Sequence, residues 1–412
     1  MTNVESVSDG EPAVRRRPKD RKAQIARASA DAFGSQGYHA VSMEDIAARV
    51  GITPAALYRH SPSKYDLFRD AVLGLGQLLV DATAFADAQT DDDPVITLRA
   101  LTSALIDTTI RCRTAGGLYR WEARYLRDPD RAVLVAQLKV VSHRLQIPLA
   151  LLRPKLTPHQ LRTLLTATLS VIGSITDHSN QLAVGEIRAC LITMAADVLA
   201  AELPATRRRS GVPQPKPITV GAEAGMYEHV LYESVRLFYE NGYRNTSMED
   251  IASAVGIQAS GLYRSFTGKA EILALAYRRA ADRHSSDVAD ALSRTADPEA
   301  ALDELIDDYL GRVTESPDLP YVYYTERQNI PEPDLRVLET IEHSTMDAWA
   351  RLVTAARPEM KIGAARYAVA AAFSLTVDFG QLLNREAGPE SVATIRRLME
   401  VTLLGRPVKR RR

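Results

Sequence analysis

Apolar residues recur three and four positions apart along most of this 412-residue chain, as in Met43, Ile46, Ala47 and Val50. That spacing lays a single stripe along an α-helix. Runs that alternate apolar and polar residues, the mark of a half-buried strand, never reach useful length. Stretches rich in Pro, Gly and Asp interrupt the pattern at Asp91–Pro94, Asp128–Asp130, Arg153–Pro158 and Pro331–Pro333. The pattern therefore predicts an all-α protein in which helix packs on helix. Asp177 and Asp378 sit inside apolar stretches of late predicted helices, where a carboxylate needs a partner or water.

The pattern also repeats. Phe33–Lys64 lies on Phe238–Lys269 at a constant offset of 205 with no gap, and 16 of the 32 positions are identical. The shared core reads G-Y-x-x-x-S-M-E-D-I-A-x-x-V-G-I-x-x-x-x-L-Y-R, from Gly37 to Arg59 and from Gly242 to Arg264. Sparser matches continue at offset 204: Tyr119, Glu122 and Asp130 fall on Tyr323, Glu326 and Asp334. One offset step over that distance implies that a whole half was duplicated. The division expected is a basic arm (1–19), a first repeat module (20–68), a first longer helical region (69–203) and a linker (204–220). A second repeat module (221–273), a second longer helical region (274–405) and a basic tail (406–412) complete it.

Within the first copy, about Asp20–Gln36 reads as a helix stopped by Gly37, where the chain needs positive φ. Ser42 is placed to cap the next helix, with Asp45 returning the bond. Gly51 makes a tight turn, and a third helix begins near Thr53. Short helix, glycine turn, short helix is a helix-turn-helix. Leu57 turns inward, leaving Thr53, Pro54, Ala56 and Arg59 on a face that fits a major groove. Tyr58, His60 and Lys64 lie at the edge, in reach of phosphates. Ahead of them runs the arm Arg15-Arg16-Arg17-Pro18-Lys19-Asp20-Arg21-Lys22, suited to backbone or minor-groove contact. Net charge is zero overall, yet Arg15–Phe68 carries 10 Lys/Arg against 5 Asp/Glu. Affinity for phosphate follows the local patch, not the whole-chain sum.

The pattern F-x-x-x-G-Y-x-x-x-S-M-E-D-I-A-x-x-V-G-I-x-x-x-x-L-Y-R-H-x-x-x-K-x-x-L resembles the DNA-binding signature of the TetR/AcrR family of bacterial repressors. The resemblance covers about fifty residues per copy. It implies a three-helix DNA-binding domain on a helical ligand-binding domain, and release of operator DNA when a small apolar molecule binds, with a lipid- or sterol-related effector as one option. Two copies in one chain resemble the tandem members known from actinobacteria. The resemblance also implies that the late helices, about 159–202 and 364–404, pair as a four-helix bundle within the chain. One chain would then act as a pseudo-dimer, with further self-association open.

Both copies depart from the family pattern. Ser61 stands where the first copy should have an aromatic, and Ser265 replaces the second copy's histidine. At the reading positions Gln258, Ala259 and Ser260 share nothing with Thr53, Pro54 and Ala55, so the two halves should read unlike half-sites of an asymmetric operator. Ser247, Tyr263, Arg264 and Lys269 complete the second set. Lys216–Leu273 carries five Lys/Arg against seven Asp/Glu, with Glu223, Glu228, Glu233 and Glu240 along its first helix. An alternative follows: the second unit is a partner-binding or structural domain.

In the regulatory regions Trp121, Arg124, Tyr125, Tyr323, Tyr324 and Arg327, with Asp177 and Asp378, are candidates for a ligand pocket. Helix packing with snorkelling arginines is the competing account. His143 and His178 read as satisfied core or surface histidines. A nucleophile elbow, a phosphate-cradling glycine loop, a His-x-x-x-His pair and a cysteine cluster are all missing, so neither enzyme, cofactor nor metal is expected. Cys112 and Cys190 lack metal-ligand spacing and point to a reducing cytoplasm. The N-terminus is polar then basic, without a secretory core, and apolar stretches such as Tyr367–Leu375 are too short to span a bilayer.

Overall fold

The computed structural model describes residues 18–88, 93–178, 180–204, 225–386 and 389–405. Among these residues every regular element is helical. The first half opens with α1 (Pro18–Ala40), α2 (Met43–Val50), α3 (Pro54–Tyr58) and α4 (Lys64–Ala82). Helical geometry in α1 breaks at Gly37, at φ 78° and ψ 158°, a conformation essentially reserved for glycine. At Ser42 the hydroxyl accepts the Asp45 N–H at 3.1 Å, and the Asp45 carboxylate accepts the Ser42 N–H at 2.8 Å. This reciprocal cap stabilises α2 by about 1 kcal/mol. Gly51, at φ 70°, then turns the chain into α3.

The second half repeats the device. Here α10 (Met226–Asn241) stops at Gly242, α11 (Met248–Ala254) is capped by Ser247 and Asp250, and α12 (Ala259–Leu262) leads to α13 (Lys269–Arg294). Each module closes on its own small core. Phe33, Ile46, Leu57 and Phe68 form the first, with Val50 at its margin. Phe238, Ile251, Leu262 and Phe266 lie in the second. Where the first module lacks the expected aromatic, Ser61 is buried and its hydroxyl donates to the Ser63 carbonyl at 3.4 Å. In the second module Phe266 fills that place and stacks on Tyr227 at 5.4 Å.

Behind each module a helical region follows. In the first half it comprises α5 (Pro94–Arg111), α6 (Arg113–Gly116), α7 (Asp128–Leu152), α8 (Pro158–Gly173) and α9 (Val184–Leu199). In the second it comprises α14 (Pro298–Glu315), α15 (Asp318–Glu326), α16 (Glu332–Ala356), α17 (Ile362–Glu386) and α18 (Pro389–Leu404). The two regions do not have separate cores. One apolar cluster runs from Leu79 to Leu404 and takes in Leu164, Leu191 and Val198 beside Tyr367, Leu375 and Leu398. Helices α8 and α9 pack on α17 and α18 as a four-helix bundle. That position accounts for the composition of α17. Ile362–Gly380 is long and apolar enough to cross a membrane, contrary to the expectation from apolar run length, but 67% of that stretch is buried inside the protein. Most of the expected linker, 204–220, and all of 406–412 lie outside the described residues.

Gly37 and Gly242 differ in what surrounds them. A side chain at Gly37 would overlap the Gln328 amide from the other half, whereas nothing lies within 4 Å at Gly242. Alanine at either position is expected to cost about 1–3 kcal/mol of backbone strain, with a larger loss at Gly37. In a Gln328→Ala background the two substitutions should cost the same, as read by urea unfolding. A persistent excess at Gly37 would place the difference elsewhere.

Candidate nucleic-acid interface and effector cavity

The outward faces of the two modules form the candidate interface. Thr53, Pro54, Arg59 and His60 are exposed, Ala56 is half-buried, and Tyr58 is 50% exposed. Their counterparts Gln258, Ser260 and Arg264 are exposed, Ala259 is half-buried, and Tyr263 is 52% exposed. An aromatic left half in water at the end of a short helix is not there for the core. Thr53 caps α3 by accepting the Ala56 N–H at 3.2 Å, and Pro54 occupies the first turn. Gln258 makes no capping bond at the same position. The hydroxyls of Ser42 and Ser247 are likewise engaged in their caps. Lys22 is exposed on α1, while Arg15, Arg16 and Arg17 lie outside the described residues.

Lys64 and Lys269, expected at phosphates, are also seen to pin their own modules together. Lys64 Nζ donates to the Val41 carbonyl at 2.8 Å and lies 4.7 Å from the Tyr38 ring centre. Lys269 Nζ donates to Tyr243 and Thr246 carbonyls at 2.6 and 2.7 Å. Burial lowers both ammonium pKa values, and Arg244 adds repulsion at each. The acidic character of α10 is also tempered. Arg279 and Arg283 pair with Glu228, and Arg236 pairs with Glu233 and Glu240.

Each module is held to the helical core by a buried carboxylate. Positive φ at Gly37 turns the Tyr38 N–H onto Glu122 Oε2 at 2.8 Å. Gly242 does the same for Tyr243 and Glu326 Oε1, at 3.1 Å. Arg124 of the first half reaches across to Glu326 at 2.8 Å and to the Thr325 carbonyl at 2.9 Å. A second crossing lies deeper. Arg120 donates to Asp177 at 2.7 Å, to Asp378 at 2.8 Å and to Ser374 at 2.9 Å, and Trp121 donates to Asp177 at 2.9 Å. Burial works against the Arg120 charge, but the two carboxylates hold its pKa above the ordinary value.

A cavity of about 1150 Å³ opens beside these crossings, in the second helical region. Asp177, Tyr323, Tyr324 and Arg327 line it, as expected from the sequence. The other four candidates do not. Trp121 stacks behind the wall on Tyr324 at 4.8 Å, and Arg124 and Asp378 serve the crossings. Tyr125 packs on Tyr38 and His39 of the first module. The wall also contains His178, Tyr277, His284, Tyr309, Glu342 and Phe373, which the sequence reading did not assign to it. A usable signal existed: the polar His284 and Glu342 fall where the first copy has Leu79 and Leu138.

Three imidazoles are held neutral. Burial, reinforced by nearby cations, pushes His39 and His284 down to about 4 and His178 down to about 3. Unfolded imidazoles take up protons as pH falls through about 6.5, so this contribution to stability is complete above that pH and is lost on acidification toward 4. Glu342 acts in the opposite sense. Burial raises it to about 7 from 4.5, so its ionisation costs stability as pH climbs through that window. His284→Gln should therefore flatten the acid loss of stability between pH 7.5 and 5. Glu342→Gln should gain on wild type as pH rises from 5 to 7.5. Parallel urea-midpoint curves for wild type and both variants would sink this account.

Comparison with known proteins places the modules. The family described as bacterial regulatory proteins, tetR family, matches residues 25–71 and again 230–276. The HTH-type transcriptional activator FasR of Mycolicibacterium smegmatis is 33% identical over 128 residues, which is 31% of this chain and 56% of that protein. The chain thus spans little more than half the length of this relative. Among solved structures, KstR2 of Mycobacterium tuberculosis, a ketosteroid transcriptional regulator, is 20% identical at TM-score 0.39. It covers 44% of this chain and 95% of its own. PfmR of Thermus thermophilus, a TetR family transcriptional regulator, is 22% identical at TM-score 0.35, covering 40% and 94%. Likenesses this distant carry no weight beside the two matched modules, whose helix-turn-helix cores are built alike. Residues 25–71 and 230–276 each match the tetR family of bacterial regulatory proteins, so that family's module occurs twice in tandem in this chain.

Proposed function

We propose that the chain is a cytoplasmic, sequence-specific regulator of transcription that reads double-stranded operator DNA with both modules. One observation carries the reading: two family modules in one chain expose unlike reading faces, Thr53-Pro54-Ala55 against Gln258-Ala259-Ser260. A side chain such as Gln258 pairs with an adenine edge, while Thr53 offers a methyl contact to thymine. The operator is therefore asymmetric, and the chain acts as a pseudo-dimer that needs no second copy. The fused core and shared bundle support that geometry. An effector in the second-half cavity alters DNA affinity through the buried crossings next to it. Binding represses or activates according to where the operator lies relative to the promoter; the relative FasR is an activator by name. The reading of the second module as a mere partner domain loses its main support, since α10 acids are paired with arginines of their own module.

Footprinting and stoichiometry on DNA upstream of the gene test the proposal. Tyr58→Ala/Arg59→Ala and Tyr263→Ala/Arg264→Ala should each weaken binding by roughly 10- to 100-fold, and the salt slope should fall by about one for each phosphate interaction removed. One chain should protect a non-palindromic site. A palindrome bound by two chains would overturn the single-chain reading. Full affinity in the second variant would remove the second module from DNA recognition.

A further inference from the structure

We infer that the chain carries one effector site, a second-half cavity closed by residues of the first half, and that it takes one uncharged, apolar-bodied molecule bearing a hydrogen-bond acceptor such as an ester, ketone or alcohol. This rests on the regulator reading above and goes beyond it in naming the ligand's chemistry and number.

The cations around the cavity already have acceptors, though not one carboxylate each. Arg279 and Arg283 face Glu228, and Arg312 pairs with Asp287. Arg327 pairs with Glu339 and Glu342. Arg113 donates to the carbonyls of Ile175, His178 and Asn180 at 2.8–2.9 Å. A carboxylate or phosphate entering here would lose its hydration and would have to compete with Glu228 for Arg279 and Arg283, and with three carbonyls for Arg113. What the wall retains is unmet hydrogen-bonding capacity, most of it on uncharged groups. Tyr277 Oη, Thr345 Oγ1, Arg312 Nε and His178 Nε2 are buried and have no protein partner, although all four residues line the cavity. Tyr277 is 3% exposed and Thr345 is 6% exposed. Buried polar groups left unmade are costly, so a ligand acceptor that draws these side chains round into the cavity would complete them.

The tautomer of His178 fixes the polarity required. Its Nδ1 faces the guanidinium of Arg113 at 3.4 Å and the backbone N–H of Asn180 at 3.3 Å, both donors. Nδ1 must accept, which leaves the proton on Nε2 and makes that atom a donor. The ligand supplies the acceptor. The rings of Tyr309, Phe373 and Tyr324 give it an apolar bed, and about 1150 Å³ accommodates a large body.

The first half lacks this set. At the duplication offsets, Tyr277, His284, Tyr309 and Thr345 correspond to Val72, Leu79, Leu105 and Val141, all buried aliphatics in packed cores. The first half contributes to the site in another way: Asp177, His178 and Asn180 close the wall from across the junction. A bound molecule therefore touches both halves.

The chain's two tryptophans report on the site. Trp121 stacks on Tyr324, and Trp349 meets Tyr309 and Phe373 edge-on. Methyl myristate, myristate and myristoyl coenzyme A, delivered from cyclodextrin, are the probes for tryptophan fluorescence titration. Methyl myristate should bind one per chain and at least tenfold more tightly than either charged analogue. Tyr277→Phe and His178→Phe should each weaken it about tenfold, the size of one lost hydrogen bond, and Tyr277→Phe should unfold no earlier than wild type. Equal or tighter binding of myristate or the thioester, two esters per chain, or unchanged affinity in both variants would overturn the inference. DNA affinity measured on the same samples separates the two readings. Intact DNA binding without ester binding rejects the ligand class alone. Ester binding that leaves DNA affinity unchanged keeps the site and rejects its role as an effector site.

Discussion

The placement of both DNA-facing modules depends on two buried carboxylates, Glu122 and Glu326. Each accepts the backbone N–H that follows a positive-φ glycine, and so fixes how a module leaves the helical core. Burying a carboxylate is expensive unless its lone pairs are taken up. Glu326 meets that demand with Tyr243, Arg124 and Asn329, and is 1% exposed. Because Arg124 comes from the first half, the second module's anchor is itself held by the first. The modules are consequently not independent heads on a tether: a displacement of Arg124 disturbs the grip on Tyr243. The Arg120, Asp177 and Asp378 cluster makes the same kind of link one layer deeper, next to the cavity wall. A buried ion network of this sort adds little net stability but is costly to break on one side, which favours discrete arrangements over gradual ones.

Much of the architecture could be read from the chain because it is encoded locally. The caps at Ser42 and Ser247, the turns at Gly51 and Gly256, and the inward set Ile46 and Leu57 are all settled by residues within one or two turns of each other. The shared bundle followed from family resemblance, and the apolar faces of α8, α9, α17 and α18 bear it out. What stayed hidden was whatever depends on distant partners. The bonds of Lys64 to carbonyls 23 and 25 residues earlier in sequence could not be read from its position. Glu122 was visible as a repeated position, but its role was not, since the N–H it holds is 84 residues away. Trp121, Arg124 and Tyr125 had the right composition for a pocket and the wrong orientation. A helix surface shows which residues are polar, not which neighbour arrives to meet them.

Duplication freed the halves to diverge. Identity persists where each module must fold, at Gly37–Arg59 and its copy, because the turn geometry and core of a small domain tolerate little change. Divergence concentrates at the reading faces and in the helical regions. There one half closed around leucines, while the other kept tyrosines, histidines and an elevated glutamate.

The shared bundle also bears on how the chain is made. Helices α8 and α9 end by residue 199, but the helices that cover them close only at residue 404. At roughly 5–20 residues per second, synthesis leaves the first half uncovered for on the order of ten to forty seconds. During that time its apolar face matches that of any neighbouring nascent chain at the same stage. The covalent linker resolves the competition late but decisively, since it holds the proper partner at an effective concentration of about millimolar. Folding of this protein is therefore expected to finish from its C-terminal end.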